Sequence, residues 1–246
     1  MTIEESDVRL AERLAREAGE LLLALQSRGD ISGKELGKAG DERANELLMR
    51  ELRSARSEDA ILSEEETDNS ERLSNKRVWI VDPLDGTREF GEGRSDWAVH
   101  VALAIDGVAT VGAVALPGLD VTITSGRPPK LKPLNVPPKM LVSRSRPATE
   151  AVAVAKALGA ELLPMGSAGA KAMAVVRGEA DIYLHTGGQY EWDNCAPVAV
   201  AEAAGLFCSR IDGSPMRYNA EDSYLPDLLI CRAELVDAAK EAISKL

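Results

Sequence analysis

Cysteine, positive charge and long apolar runs are all scarce in this chain, and each shortage excludes something. Its 246 residues include three cysteines, Cys195, Cys208 and Cys231, an odd number, widely spaced and set among apolar neighbours. Neither a disulfide frame nor a zinc site has that spacing, so they read as reduced core residues. No apolar run approaches the length of a membrane span, so no membrane partner is expected. Lys and Arg number 29 against 40 Asp and Glu, a formal charge of −11. A duplex nucleic-acid binder needs a basic face to neutralise phosphates, so no nucleic-acid partner is expected either. An acidic chain can still bind an anionic small molecule if metal cations line its site. The N-terminal stretch MTIEESDVRLAERL is acidic and helix-patterned rather than basic then apolar. It does not read as a signal peptide, and the expected location is cytoplasmic.

What is present is an α/β pattern in two parts. Leu10, Leu14, Ala18, Leu21, Leu22 and Leu25 recur at helical intervals and predict an amphipathic helix over 6–28. A polar connection, SRGDISGKELGKAG, leads to a second helix over about 41–55, carrying Leu47, Leu48 and Leu52. VWIV and then WAVHVALAIDGVATVGAVALP read as strands, the latter broken by the hairpin signal Asp106-Gly107, and VTITS continues them. RPPKLKPLNVPPK, with five prolines and four basic residues, cannot continue a central strand and marks a joint. Beyond it strands and helices alternate: MLVS, a helix from Pro147, ELLPM, SAGAKAMAVVRG, DIYLH, a helix from Asp193, LLICR and a last helix. The expected division is an α+β part over 1–130, two helices and a largely antiparallel sheet, and an α/β part over 131–246.

Four acids stand at element boundaries, each after an apolar stretch or an aromatic residue: Glu64 in ILSEEE, Asp82 and Asp85 in VWIVDPLDGTREF, and Asp193 in EWDNCA. Taken singly, EEE is usually a solvated turn, WD a helix start and DPLDG a surface turn. Together they suit Mg²⁺, which takes oxygen ligands, and two such ions about 4 Å apart would serve phosphoryl transfer. Pro83 would stiffen the turn, the Leu84 carbonyl could add an oxygen ligand, and Gly86 and Thr87 would present backbone N–H groups to a phosphate. A phosphatase with an aspartyl nucleophile of the haloacid-dehalogenase type needs D-x-D-G-T. Here the acids stand at i and i+3, which favours direct attack by water.

These residues resemble the lithium-sensitive, magnesium-dependent phosphatases that include inositol monophosphatase, fructose-1,6-bisphosphatase and 3′(2′),5′-bisphosphate nucleotidase. DPLDGTREF matches the first signature, EWDNCAPVAVAEAAG the second, and LSEEE the upstream acidic element. The resemblance implies a layered αβαβα sandwich with the site between its two parts. It implies Glu64, Asp82, the Leu84 carbonyl, Asp85 and Asp193 as ligands of two Mg²⁺ ions. Asp41, in GKAGDERAN, and Thr87 would orient and deprotonate the attacking water, with Glu65 a helper or a ligand of a third metal. Substrate would meet Asp85, Gly86, Thr87 and Asp193, and the helix start GSAGAK, through Gly166 and backbone N–H groups of Ser167 and Ala168. Lys171 resembles a nucleotidase lysine that meets a phosphate, although a helix lysine is as readily a solvated charge. Thr186 stands where inositol-selective members carry a glutamate.

Ser143, Arg144, Ser145 and Arg146 resemble the V-S-R-S-H segment of the bacterial CysQ-type nucleotidases, the branch most similar along the chain. Arg146 replaces its histidine, so stacking on a base would fall to a guanidinium. His185 is a further substrate-binding candidate beside the packed role usual for a lone histidine, and His100 reads as structural. The implied reaction is removal of the 3′-phosphate from adenosine 3′,5′-bisphosphate or 3′-phosphoadenylyl sulfate, in sulfate assimilation. The alternatives are inositol 1-phosphate or fructose 1,6-bisphosphate hydrolysis, and a nucleotide sensor without turnover. The expected partner is thus a nucleotide or sugar phosphate, with a homodimer left open.

Overall fold

Leucine and alanine at three- and four-residue intervals build the first helix, α1 (Asp7–Arg28), which Ser6 opens by accepting from the Arg9 N–H and Gly29 closes in the left-handed region at φ 69°. The computed structural model describes residues 5–246, so the first four residues of the acidic N-terminal stretch lie outside the described residues. The second helix, α2, runs Gly33–Ala55 and begins well ahead of residue 41. From Gly33 onward the stretch expected as a connection is helical because its buried face continues through Leu36, Gly37 and Gly40, which leaves residues 29–32 to link the two helices. Glycine breaks the leucine periodicity there but permits close packing. A Cβ on Gly37 would lie 2.7 Å from Thr87 Cγ2, and one on Gly40 would lie 2.8 Å from Leu84 Cδ2.

Five strands form the first sheet: β1 (Ala60–Ser63), β2 (Arg77–Asp85), β3 (Ala98–Ile105), β4 (Val108–Leu116) and β5 (Val121–Thr124), in that order. β1 is parallel to β2 and the other pairs are antiparallel. The β3–β4 turn forms at Asp106 and Gly107, both at positive φ, as the sequence predicts. A short helix, α3 (Thr87–Gly91), follows β2.

The second sheet holds β6 (Lys139–Ser143), β7 (Glu161–Met165), β8 (Ile182–Thr186), β9 (Phe207–Ser209) and β10 (Asp227–Cys231), ordered β7-β6-β8-β10-β9. β6 is parallel to β7 and β8, and β10 is antiparallel to β8 and β9. Its helices are α4 (Thr149–Leu158), α5 (Ala168–Val176), α6 (Glu191–Ala203) and α7 (Val236–Ile243). The strands β1 and β9 are too short to show an alternating pattern, and neither is anticipated from the sequence.

Alternation along the strands sets the layers. Trp79 and Val81 of β2 face α1 and α2, whereas Val78 and Ile80 face a core shared with Met173 of α5 and Val200 of α6. That core also takes Tyr183 and Ile230 from the second sheet, whose opposite face packs Met140 and Leu184 against Val154 of α4 and Ala239 of α7. The result is the expected five-layer αβαβα sandwich, with α5 and α6 between the sheets. The proline-rich joint is tied down by buried Asp181, which accepts from the Asn135 and Lys139 backbone N–H groups at 3.2 and 2.8 Å. Among the described residues no helix is long and apolar enough to cross a membrane.

Candidate active site and metal centre

An undisturbed strand would send residues i and i+3 to opposite faces. The β2–β3 ladder breaks between Asp82, which pairs with His100, and Asp85, which pairs with Ala98. The extra residue on β2 is a bulge, and it turns both carboxylates to one side. Pro83 fits there because a bulge needs no ladder N–H from it. Asp82 stiffens the turn further by accepting from the Leu84 N–H at 3.0 Å.

Asp193 comes from the first turn of α6, where its carboxylate accepts from the Tyr190 N–H at 2.7 Å. One oxygen each of Asp82, Asp85 and Asp193 lies within 4.8 Å of the others. Burial, and then repulsion from Glu64, Asp85 and Asp193, raises the Asp82 carboxyl well above its usual range. Burial and Asp85 raise Asp193 to about 7. Glu64 keeps an exposed edge, yet the surrounding protein desolvates it, and Asp41, Asp85 and Glu65 repel it, to about 7. A set of crowded oxygen donors that resist ionisation together fits a hard divalent cation, whose charge would offset the repulsion.

Asp85 is held differently. Burial would raise its carboxyl, but His100, Ser167 and the Gly169 N–H outweigh burial and hold it at about 2. Ser167 Oγ donates to it at 2.5 Å, and the Ala168 and Gly169 N–H groups donate at 3.1 and 2.6 Å. The carboxylate of the first sheet thus caps the helix of the second part. The sequence reading gave the Ser167 and Ala168 donors to substrate; here the Ala168 N–H and the Ser167 hydroxyl are spent on Asp85. Ser167 adopts φ 50°, an unusual backbone for serine, which aims its hydroxyl at the carboxylate.

The Thr87 hydroxyl lies 3.3 Å from Asp41 Oδ1 and 3.1 Å from the Leu84 carbonyl. Its single proton can go to either acceptor, so the Leu84 oxygen is free when Thr87 donates to Asp41. Burial, with repulsion from Glu65, raises Asp41 to about 7. Asp41, Thr87 and exposed Glu65 line a cavity of about 570 Å³ beside Lys34, Lys38 and Arg88. Gly86, at φ 92°, precedes α3 where a Cβ would lie 3.2 Å from both Ser167 Cβ and Trp97 Cβ.

The remaining predicted residues are less closely gathered. Lys171 is neither solvated nor extended: it is buried, and its ammonium donates to the Ser167 and Gly166 carbonyls at 2.6 and 3.3 Å. Burial lowers its pKa against the pull of Asp85 and Glu89. Arg144 pairs with Glu89 at 2.7 Å and Glu92 at 3.0 Å, joining the end of β6 to α3. Ser143 Oγ accepts from the Arg146 N–H at 3.3 Å, and Ser145 and Arg146 are exposed. The Gly166 N–H donates to Asp96 at 2.7 Å. His185 Nε2 meets the Gly187 carbonyl at 2.6 Å, and burial lowers its pKa.

The residue that sequence reasoning missed is His100. It is fully buried, with Nδ1 donating to the Trp192 carbonyl at 2.9 Å and Nε2 within 3.2 Å of Asp85 Oδ2 but off the line of a hydrogen bond. Burial disfavours its charged form, and Asp85 outweighs that and raises its pKa. It therefore spans the two signature segments. Gly169 makes room for it, since a Cβ there would lie 2.0 Å from His100 Nε2.

Residues 4–244 match the sequence profile described as "Inositol monophosphatase family". The chain belongs to the inositol monophosphatase family. A Mycobacterium leprae family member named 3′-phosphoadenosine 5′-phosphate phosphatase is 49% identical, over 94% of this chain and 91% of its own. The 3′(2′),5′-bisphosphate nucleotidase CysQ of Escherichia coli strain K12 is 30% identical over 87% and 94%. The crystal structure of CysQ from Bacteroides thetaiotaomicron superposes with a TM-score of 0.80 at 25% identity, covering 92% of this chain and 97% of that one. The family is metal-dependent, in keeping with the carboxylate cluster of Asp82, Asp85 and Asp193. Membership makes the chain a phosphatase, and the CysQ-type resemblance holds.

Proposed function

We propose that the chain is a Mg²⁺-dependent phosphomonoesterase that removes the 3′-phosphate of adenosine 3′,5′-bisphosphate, with 3′-phosphoadenylyl sulfate as a related substrate, in sulfate assimilation. The observation that carries this reading is the meeting of Asp82, Asp85 and Asp193 beside the Asp41–Thr87 pair. The substrate comes from the relative that shares 49% of its residues and bears that nucleotide in its name.

Asp82, Asp85 and Asp193, with Glu64 and the Leu84 carbonyl, would hold two Mg²⁺ ions, and Glu65 would face a third. Bound Mg²⁺ would supply positive charge for the phosphoryl oxygens and lower the pKa of the attacking water. Thr87 orients that water with its hydroxyl and passes a proton to Asp41, whose carboxyl at about 7 suits it to accept one near neutrality. The water oxygen bonds to phosphorus as the P–O3′ bond breaks, and the leaving oxygen takes a proton from solvent. The division at residues 130 and 131 belongs to the same reading, because it falls between the end of the first sheet at Thr124 and the start of the second at Lys139.

One observation favours inositol phosphate. Thr186 donates to Glu150 at 2.8 Å, which sets a carboxylate beside the residue that stands where inositol-selective members carry a glutamate. The test is kcat/KM for adenosine 3′,5′-bisphosphate, inositol 1-phosphate and fructose 1,6-bisphosphate. The nucleotide should lead, and a lead of about tenfold for either of the others, roughly 1.4 kcal/mol, would reverse the assignment.

A further inference from the structure

The chain has few aromatic residues, 4% of the total, and keeps most of them inside. Among the described residues the exposed aromatics are Tyr190 and Tyr224, at 40% and 41%. They lie on one spot. The Tyr190 ring stacks on Trp192 with centroids 4.9 Å apart and planes 8° from parallel, and Tyr224 meets Tyr190 edge-on at 5.5 Å.

The backbone that carries that spot adjoins the carboxylate cluster. Tyr190 and Trp192 flank the start of α6, the Tyr190 N–H holds Asp193, and the Trp192 carbonyl holds His100. Tyr224 is bridged to Tyr190 and accepts from the Gly188 N–H at 3.1 Å. Gly187 and Gly188 are exposed, and a Cβ on either would meet nothing within 4 Å. The backbone beside the rings is therefore uncovered.

We propose that Tyr190, backed by Trp192 and edged by Tyr224, is the stacking platform for the purine of the nucleotide substrate. The proposal rests on the function proposed above and adds the group that selects a nucleoside. In-line attack puts the leaving nucleoside opposite the attacking water. The water side is the Asp41–Thr87 pair, and Asp193 reaches the proposed metal site from a different element, the start of α6 beside Tyr190, so we place the nucleoside on that side. Any base presents a π-face to such a ring, and a flat pair of aromatics already stacked loses little freedom on binding. The platform takes over the stacking role that the sequence assigned to Arg146.

The test uses Tyr190→Leu, Tyr224→Leu and Tyr190→Phe with two phosphomonoesters, adenosine 3′,5′-bisphosphate and β-glycerophosphate, which has no ring. Each leucine variant should raise KM for the nucleotide about tenfold, in the range of one base-stacking contact. Its kcat/KM for β-glycerophosphate should move less than twofold, and Tyr190→Phe should keep the nucleotide KM. Equal losses on both esters, an unchanged nucleotide KM, or a change of oligomeric state in light scattering would overturn the platform. If the unaltered protein releases no phosphate from the nucleotide, the proposed function fails instead. Quenching of tryptophan fluorescence by adenosine 5′-monophosphate then decides the platform alone: quenching lost in Tyr190→Leu supports it, and quenching absent or unchanged refutes it.

Discussion

Two residues would serve the proposed reaction in different ways, and they should separate experimentally. In the proposed reaction Asp41 would receive a proton without belonging to the carboxylate cluster, so Asp41→Asn should lower kcat by about 10²–10⁴ while leaving Mg²⁺ affinity near its original value. Initial rates with a calorimetric Mg²⁺ titration would check both halves. His100 touches Asp85 and the Trp192 carbonyl beside the proposed metal site, and loss of such a supporting partner typically costs about 10–100-fold in metal affinity. His100→Leu should show that loss by calorimetry, whereas His100→Asn, which can still donate to Trp192, should recover part of it. The sequence made the acids legible because their spacing is unusual. It concealed His100 because its partners, Asp85, Trp192 and the space over Gly169, come from three distant segments.

At the scale of elements, legibility followed periodicity. The helices and strands with regular apolar patterns were readable, and so was the joint with its five prolines. The start of α2 was not, because its buried face runs through Gly37 and Gly40, which read as loop residues. The β2 bulge was equally hidden, since it exists only against the register of β3. The spacing of Asp82 and Asp85 could be interpreted without it, but not explained. Gly37→Ala tests the helix contact. Alanine gains about 1 kcal/mol of helix propensity but must press on Thr87, where overpacking costs about 1–3 kcal/mol. The blocking atoms are a backbone carbonyl and a methyl on a side chain whose hydroxyl is engaged with Asp41 and Leu84, so relief requires moving Thr87 itself. The melting temperature should therefore fall, and kcat should fall with it as Thr87 is displaced.

The whole molecule is acidic, and its site gathers acid further, which ties stability to pH and metal. Glu64, Asp193 and Asp41 are raised to about 7 in the metal-free protein. A carboxyl whose folded pKa lies above its unfolded one contributes stability that is complete below the usual range near 4 and lost as pH rises through about 7. Stripped of metal with EDTA, the protein should lose melting temperature between pH 5.5 and 8. Added Mg²⁺ competes with those protons and should restore more at pH 8 than at pH 5.5, as scanning fluorimetry can show. Asp85 works in the opposite sense: held at about 2, it contributes stability that is lost only as pH falls toward that value.

The grip of α5 on Asp85 also bears on how this chain could change over generations. On the proposed function, a substitution at Asp85 would strip away turnover and, in the same stroke, uncap a helix wedged between two sheets. Asp41 and Thr87 cap no helix of the second part; their hydrogen bond joins α2 to α3 within the first. A lineage drifting from hydrolysis toward a silent nucleotide receptor would therefore shed Asp41 or Thr87 first. For the same reason, Asp41→Asn is the sounder choice for trapping an intact nucleotide in the cleft.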